Sequence, residues 1–166
     1  MADPSADRGG GSDAAARTVA ALRLGVLVIL MTASAGMVAE LFLLEHTEDP
    51  WQWVPIALLG GSVPVMLWQL VRPSGASART LQLVMWLFVA SGLVGLVLHF
   101  KGNVEFEREM YPALAGLQLF KQAMTGATPS LAPGTMVQFG LLGLLYTFRH
   151  PDLRRTAPGR RVTTTP

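Results

Sequence analysis

Apolar residues in the chain are concentrated in four long runs, which short polar segments separate. Each run has about the 20 residues that an α-helix needs to cross about 30 Å of hydrocarbon. The pattern therefore predicts an all-α integral membrane protein with a bundle of four transmembrane helices. The predicted spans are residues 24–44, 51–71, 81–100 and 131–148, of which the fourth is the shortest.

The polar segment 103–124, after the third run, carries apolar residues at every third or fourth position. This period is typical of an amphipathic helix. Pro112 interrupts the segment, so we expect two short helices, with Pro112 in the first turn of the second. The segment is predicted to form a lid on one face of the bundle. Its apolar stripe, expected to press on the bundle or on lipid headgroups, consists of Phe106, Met110, Leu114, Leu117, Phe120 and Met124.

The charged residues support the membrane assignment and give it a direction. They make up only 14% of the chain, against about a quarter in soluble domains. Ten of the 13 Lys and Arg residues lie in the first tail, the second loop and the last tail. By the positive-inside rule these segments are cytoplasmic and the lid is extracytoplasmic. We expect a multi-pass protein of a bacterial inner (plasma) membrane, with both termini in the cytoplasm.

The same pattern divides the chain into three parts. Residues 1–17 are expected to form a disordered polar tail, residues 18–148 the membrane domain, and residues 149–166 a basic cytoplasmic tail. The basic tail is expected to touch anionic lipid headgroups rather than nucleic acid. The predicted partners are the lipid bilayer and either other membrane subunits or further copies of the chain.

The first apolar run also has features of a signal peptide. Arg17 and Arg23 precede the run LGVLVIL, and the triplet Ala33-Ser34-Ala35 suits a cleavage site. The run continues beyond Ala35 and a long polar region precedes it, so we expect an uncleaved span. Cleavage would leave three spans with the same orientation.

Several classes of chemistry are excluded or have no motif in the chain. There is no cysteine, which excludes disulfides, thiolate metal ligands and cysteine nucleophiles. There is also no nucleophile motif around a serine and no glycine-rich phosphate loop after a strand. The leading hypothesis is therefore an accessory or interaction subunit without a catalytic centre of its own.

Glu40 is the first candidate for a functional residue, because it lies one turn inside the first run. It shares a helical face with Ala33 and Gly36, and small residues usually mark the packed face of a membrane helix. We therefore expect Glu40 to point into the bundle, where acids are often functional, for example in proton-coupled transport of a small solute. The alternative is a glutamate that only reaches the interface or bonds a neighbour.

Histidines supply the second candidate site. His99 shares a face with Gly92 and Gly95 and lies at the same end of the bundle as Glu40 and His46. Two imidazoles and a carboxylate at one level suit a divalent metal ion, or a haem held by the two histidines. This would be a redox or transport protein. The alternative is a pair of solvated or hydrogen-bonded histidines.

The lid offers two further oxygen ligands for that site. Glu105 and Glu109 are spaced i, i+4 and so share one face of a helix. Their carboxylates are further candidate ligands for the metal site of Glu40, His46 and His99.

Overall fold

The computed structural model describes residues 4–126 and 128–155, and this part of the chain is helical without any strand. The all-α class predicted from the sequence is confirmed. The elements are α1 (Pro4–Leu43), a 3₁₀ turn (Pro50–Gln52), α2 (Trp53–Val71), α3 (Gly75–Met110), α4 (Gly116–Met124), α5 (Gly134–Thr147) and α6 (Pro151–Arg155).

Three helical segments in the described residues are long and apolar enough to cross a membrane. They are Asp13–Leu43 in α1, Pro50–Val71 including α2, and all of α3. These helices indicate a membrane protein. α5 has 14 residues, which at about 1.5 Å per residue reach about 21 Å, less than the hydrocarbon thickness. The predicted fourth span is therefore not confirmed by helix length.

Short capped turns place the long helices side by side. Before α2, the Asp49 side chain accepts a hydrogen bond from the Trp51 amide at 2.8 Å. Before α3, Ser74 and Ser77 each accept a hydrogen bond from the other's backbone amide, at 3.1 and 3.0 Å. Such side chains satisfy amides that the first helical turn leaves without partners, and so they fix where each helix begins.

α3 and α5 pack through glycines, which brings their backbones into contact. A Cβ added at Gly92 would lie 2.8 Å from the Val137 amide nitrogen, and one at Gly140 would lie 2.7 Å from the Met85 carbonyl oxygen. A larger residue does not fit there, and small residues are what allow close packing of helices in membranes. The glycines of this interface are Gly92, Gly95, Gly140 and Gly143.

α5 runs antiparallel to α3. Pro133, just before α5, lies against Gly95, whereas Gly143, near the end of α5, lies against Met85. The chain therefore returns to the end of the bundle where α3 begins.

Three chain segments meet at that end, which we call the basic end. Arg23 Nη2 on α1 donates to the Phe148 carbonyl oxygen at 3.1 Å, just after α5. Gln69, near the end of α2, donates to Asp152 of α6 at 3.4 Å. The opposite end, with the loop at residues 44–49, is the acidic end.

The core lies between α1, α2, α3 and α5, and large apolar side chains also cover the outward faces. Leu83 and Trp86 on α3, for example, are 60% and 57% exposed. Extended outward apolar surface of this kind is what a lipid-facing protein presents. The fully buried core side chains are Leu27, Leu30, Leu59, Met66, Leu81, Met85 and Phe88.

The lid segment 103–124 differs from the prediction in its helix boundaries. Its first part is a continuation of α3, which runs unbroken to Met110. Pro112 lies in the turn before α4 rather than in its first turn, because α4 begins only at Gly116, whose φ of +58° favours glycine. The expectation of two separate short helices is wrong, since one long helix supplies the first half.

The apolar stripe of the lid packs on the bundle only in part. The Phe120 ring lies 5.7 Å from the Phe100 ring of α3, whereas Leu117 is 68% exposed. Leu119 and Ala123, which lie off the predicted stripe, are 7% and 0% exposed and hold α4 against the bundle. The prediction of packing on the bundle therefore holds for only part of the stripe. For the exposed residues of the stripe, contact with lipid headgroups stays a prediction.

The chain ends also differ from expectation. The polar tail predicted at residues 1–17 is helical from Pro4 onward, as part of α1. Extending an existing helix costs far less than starting one, which lets α1 continue beyond its apolar part. The basic tail begins with α6, and residues 156–166 lie outside the described part of the chain.

Candidate functional site

His46 and His99 are brought together at the acidic end. Their ring centroids lie 6.3 Å apart. His46 sits in the loop after α1, where its amide donates to the Leu41 carbonyl oxygen at 2.9 Å. Partial burial, and then the neighbouring His99, lower the pKa of His46 below its ordinary value of 6.5. Nδ1 of His99 is buried and has no hydrogen-bond partner among the described residues.

Glu40 is not part of this pair. It is exposed on an outward face of α1, and Gly36, one turn earlier, has no neighbouring atom within 4 Å of where a Cβ would lie. The packed face of α1 contains Leu27, Leu30 and Ser34, which are almost fully buried. The expectation that Glu40 points into the bundle is wrong, because the face that it shares with Gly36 has no neighbouring helix among the described residues.

The carboxylates of the lid do not complete a metal site. Glu105 pairs with Lys101 at 3.6 Å on the surface, and Glu109 is exposed. Among the described residues, no group of three or more His, Asp or Glu side chains is arranged to hold a metal ion. Glu40 therefore does not join His46 and His99 in a three-ligand site.

Asn103 is the polar residue that organises the lid. Its side-chain nitrogen donates to the carbonyl oxygens of Ala123 and Thr128 at 2.9 and 2.7 Å, and lies 2.9 Å from Ser130 Oγ. Its side-chain oxygen accepts from the Thr128 hydroxyl at 2.6 Å. One buried amide thus fixes the end of α4 and the following loop to α3.

A cleft at the basic end is lined by both polar and apolar side chains. Its volume is about 370 Å³, and it lies between α1, α2, α5 and α6. Five of its lining residues are polar or charged, and three of these are more than nine-tenths buried: Gln69, Tyr146 and His150. The polar and charged lining residues are Arg23, Gln69, Tyr146, His150 and Asp152, and the apolar ones are Ala20, Leu24, Leu27, Leu70, Pro73 and Pro151.

A chain of polar contacts connects the walls of this cleft. Ser77 Oγ donates to Gln69 Oε1 at 2.6 Å, and Gln69 Nε2 donates to Asp152 Oδ2 at 3.4 Å. The same Asp152 oxygen lies 3.5 Å from His150 Nδ1, and the His150 ring lies 5.2 Å from the Tyr146 ring. These contacts join α2, α3, α5 and α6 through side chains.

His150 is held in its neutral form at physiological pH. Burial lowers its pKa below 6.5, and this effect exceeds that of the Asp152 carboxylate, which raises it; Arg23 adds a smaller lowering. Neutral imidazole offers one acceptor nitrogen and one donor. The cleft therefore contains a cation, an anion and three neutral polar side chains.

Sequence reasoning missed this cleft, although two signals pointed to it. Gln69 is a polar residue near the end of an apolar run, and His150-Pro151-Asp152 places two titratable groups around a proline. The sequence analysis placed the basic segment after the fourth run in a tail that touches lipid headgroups. Gln69 and the segment His150-Pro151-Asp152 come together only because α5 returns to the basic end.

The comparisons with known proteins add no assignment. No protein family, curated protein or solved structure matches the chain. The functional argument therefore depends on the site geometry alone.

Proposed function

We propose that the chain is a small, four-pass protein of a bacterial inner membrane, and that it acts as an accessory or interaction subunit. Its basic end lies in the cytoplasm, and its lid lies outside. Ten of 13 Lys and Arg residues support this orientation. The antiparallel return of α5 along α3 supports the fourth pass.

The shortness of α5 is compatible with this fourth pass. Residues 128–133, just before α5, lie beside α3 and the end of α4, and Ser130 there is only 4% exposed. A thinner local bilayer accommodates the remaining mismatch at modest cost.

The open face of α1 carries the proposal of an interaction subunit. Gly25 and Gly36 have no neighbouring atom within 4 Å of where a Cβ would lie. They are 11 residues apart, which is about three helical turns, and Thr32 and Glu40 lie close to the same face. Small residues allow another helix to approach, and a carboxylate at membrane depth is costly unless it is paired or reaches water. A partner helix with a hydrogen-bond donor or a cation would pack on the small residues and would also pair with the Glu40 carboxylate.

A photo-crosslinking amino acid placed at Thr32 or Gly36 in native membranes tests this proposal. We expect a crosslinked product from either position, and none from Ala90, an exposed small residue on α3. A product of twice the 17.8 kDa chain mass identifies a second copy, and any other mass identifies a different subunit. Absence of product at both α1 positions would contradict the proposal.

A two-histidine metal or haem site is the second candidate. The observation in its favour is the contact of His46 with His99, together with the unpartnered Nδ1 of His99. Metal analysis and an absorption spectrum of the purified protein test it. His99→Ala should abolish the bound metal or the Soret band, whereas His150→Ala should leave either unchanged. No observation on the described residues favours proton-coupled transport through Glu40, which faces outward.

A further inference from the structure

The cleft at the basic end contains two opposite charges that are not paired with each other. Arg23 and Asp152 both line it, yet they form no ion pair within 4 Å in the described residues. Arg23 uses one guanidinium nitrogen on the Phe148 and Arg149 carbonyl oxygens, which leaves further N–H donors. Asp152 makes only long side-chain contacts, at 3.4 and 3.5 Å. Each of these charged side chains can therefore still form hydrogen bonds with a ligand.

The cleft also spans the level at which the apolar helices end. Leu24, Leu27 and Leu70 form an apolar wall within the membrane-length segments, whereas Pro73 and Pro151 lie beyond them. A ligand that fills the cleft therefore meets apolar surface on one side and charged groups on the other. Amphipathic molecules at the membrane interface, such as phospholipids, have this character.

We propose that this cleft binds the headgroup of an ethanolamine phospholipid from the inner leaflet. Arg23 binds the phosphate, for which a guanidinium is well suited. Asp152 accepts hydrogen bonds from the primary ammonium, which has three donors. The start of an acyl chain follows the apolar wall. The binding goes beyond the proposed interaction role, because it uses Arg23 of α1 together with α2, α5 and α6 rather than the face of α1 that carries Gly25 and Gly36.

The neighbouring polar groups favour ethanolamine over other headgroups. Gln69, Tyr146 and neutral His150 are buried polar side chains that line the cleft. Gln69 Oε1 already accepts from Ser77 Oγ, so the Asp152 carboxylate is the acceptor for an ammonium with N–H groups, which the trimethylated ammonium of choline lacks. An anionic glycerol headgroup leaves Asp152 without a cation.

Native mass spectrometry of the full chain, released from micelles with equimolar ethanolamine, choline and glycerol phospholipids, tests the proposal. We expect the ethanolamine lipid to be retained preferentially. Asp152→Asn and Arg23→Gln should each reduce its retention about tenfold, as loss of a charge-assisted hydrogen bond does. Asp13→Asn and Arg72→Gln are exposed controls near the same end of the bundle and should retain it fully.

Further comparisons distinguish a loss of lipid binding from misfolding, and the binding of a lipid from the binding of a free solute. Arg23→Lys keeps the positive charge and should recover part of the retention that Arg23→Gln loses. Glycerophosphoethanolamine should displace the lipid at high concentration, and glycerophosphocholine should not. Equal retention of all three lipids, or unchanged retention in Asp152→Asn, would overturn the proposal. Binding of glycerophosphoethanolamine as tight as that of the lipid would assign the cleft to a free solute and overturn it as well.

Discussion

At the scale of single residues, polar side chains at the two ends of the bundle do the most to fix its shape. Asn103 alone connects α3 to Ala123, Thr128 and Ser130. Such a residue cannot be recognised from sequence spacing, because its partners lie 20 to 27 positions away. The sequence analysis included Asn103 only as the first residue of the lid.

Replacing Asn103 with alanine should loosen the lid. The change removes the hydrogen bonds of this amide to the Ala123 and Thr128 carbonyl oxygens and to the Thr128 hydroxyl, and each such bond contributes about 0.5–1.5 kcal/mol. We expect a lower unfolding midpoint and faster hydrogen exchange in residues 119–130. Gln118→Ala, an exposed amide on the same segment, serves as the control. Exchange that is equally slow in both variants would contradict the assigned role.

Glu40 shows the limit of reasoning from small residues in one helix. Its face was expected to be packed because Ala33 and Gly36 are small, but Gly36 faces open space. On α3 the same reasoning holds, since Gly92 and Gly95 pack against the segment around Pro133 and Val137. A sequence shows which residues share a face, but it does not show which face has a neighbour.

His150 gives the basic end a dependence on pH. Its folded-state pKa is lowered, so the folded protein holds neutral imidazole while the unfolded chain binds a proton at higher pH. The stabilisation is therefore complete above about pH 6.5 and is lost as the pH falls through the lower, folded-state pKa. The charged groups around it are Arg23 and Asp152, and the tilted Tyr146 ring packs alongside.

Thermal unfolding between pH 8 and pH 5 checks this dependence (about the range in which histidine titrates). The midpoint of the unmodified chain should fall as the pH decreases below 6.5. His150→Gln should give a flatter profile, and Asp13→Asn should not change it. Profiles of equal slope in the unmodified chain and His150→Gln would show that His150 makes no such contribution.

At the scale of helices, the α3–α5 interface holds the last helix in place. Its backbone contacts at Gly92 and Gly140 exclude any larger side chain. The apolar pattern located both helices, and the glycines of α3 were recognised as one face. The length of α5 could not be predicted, because residues 131–133 are apolar enough to extend the run but form a turn before the helix.

Gly140→Leu should therefore disrupt the bundle, whereas Gly60→Leu should not. The first places a side chain against the Met85 backbone and Val89, and the second has no neighbouring atom within 4 Å. Overpacking costs about 1–3 kcal/mol and often more where backbone must move. Unfolding in detergent, followed by circular dichroism, measures the difference. Equal stability of the two variants would contradict the close packing of α5 on α3.

At the scale of the whole molecule, charge and helix packing lead to the same arrangement. The positive-inside rule places residues 1–23, 72–79 and 149–166 on one side, and the structure brings the described parts of these segments to one end of the bundle. The sequence predicted the three membrane-length helices, and the direction in which they cross the membrane stays a prediction. The cleft at the basic end could not be predicted, because it forms only when the middle of α1 meets the end of α2, the end of α5 and α6.

Labelling of single cysteines in intact cells tests this arrangement most directly, and the natural chain has no cysteine to interfere. With a membrane-impermeant thiol reagent, we expect Glu48→Cys and Gln122→Cys to be labelled. Asp13→Cys, Ala76→Cys and Arg154→Cys should be labelled only after the cells are permeabilised. Labelling of Arg154→Cys in intact cells, with Asp13→Cys protected, would show that α5 does not cross the membrane and would contradict the four-pass arrangement.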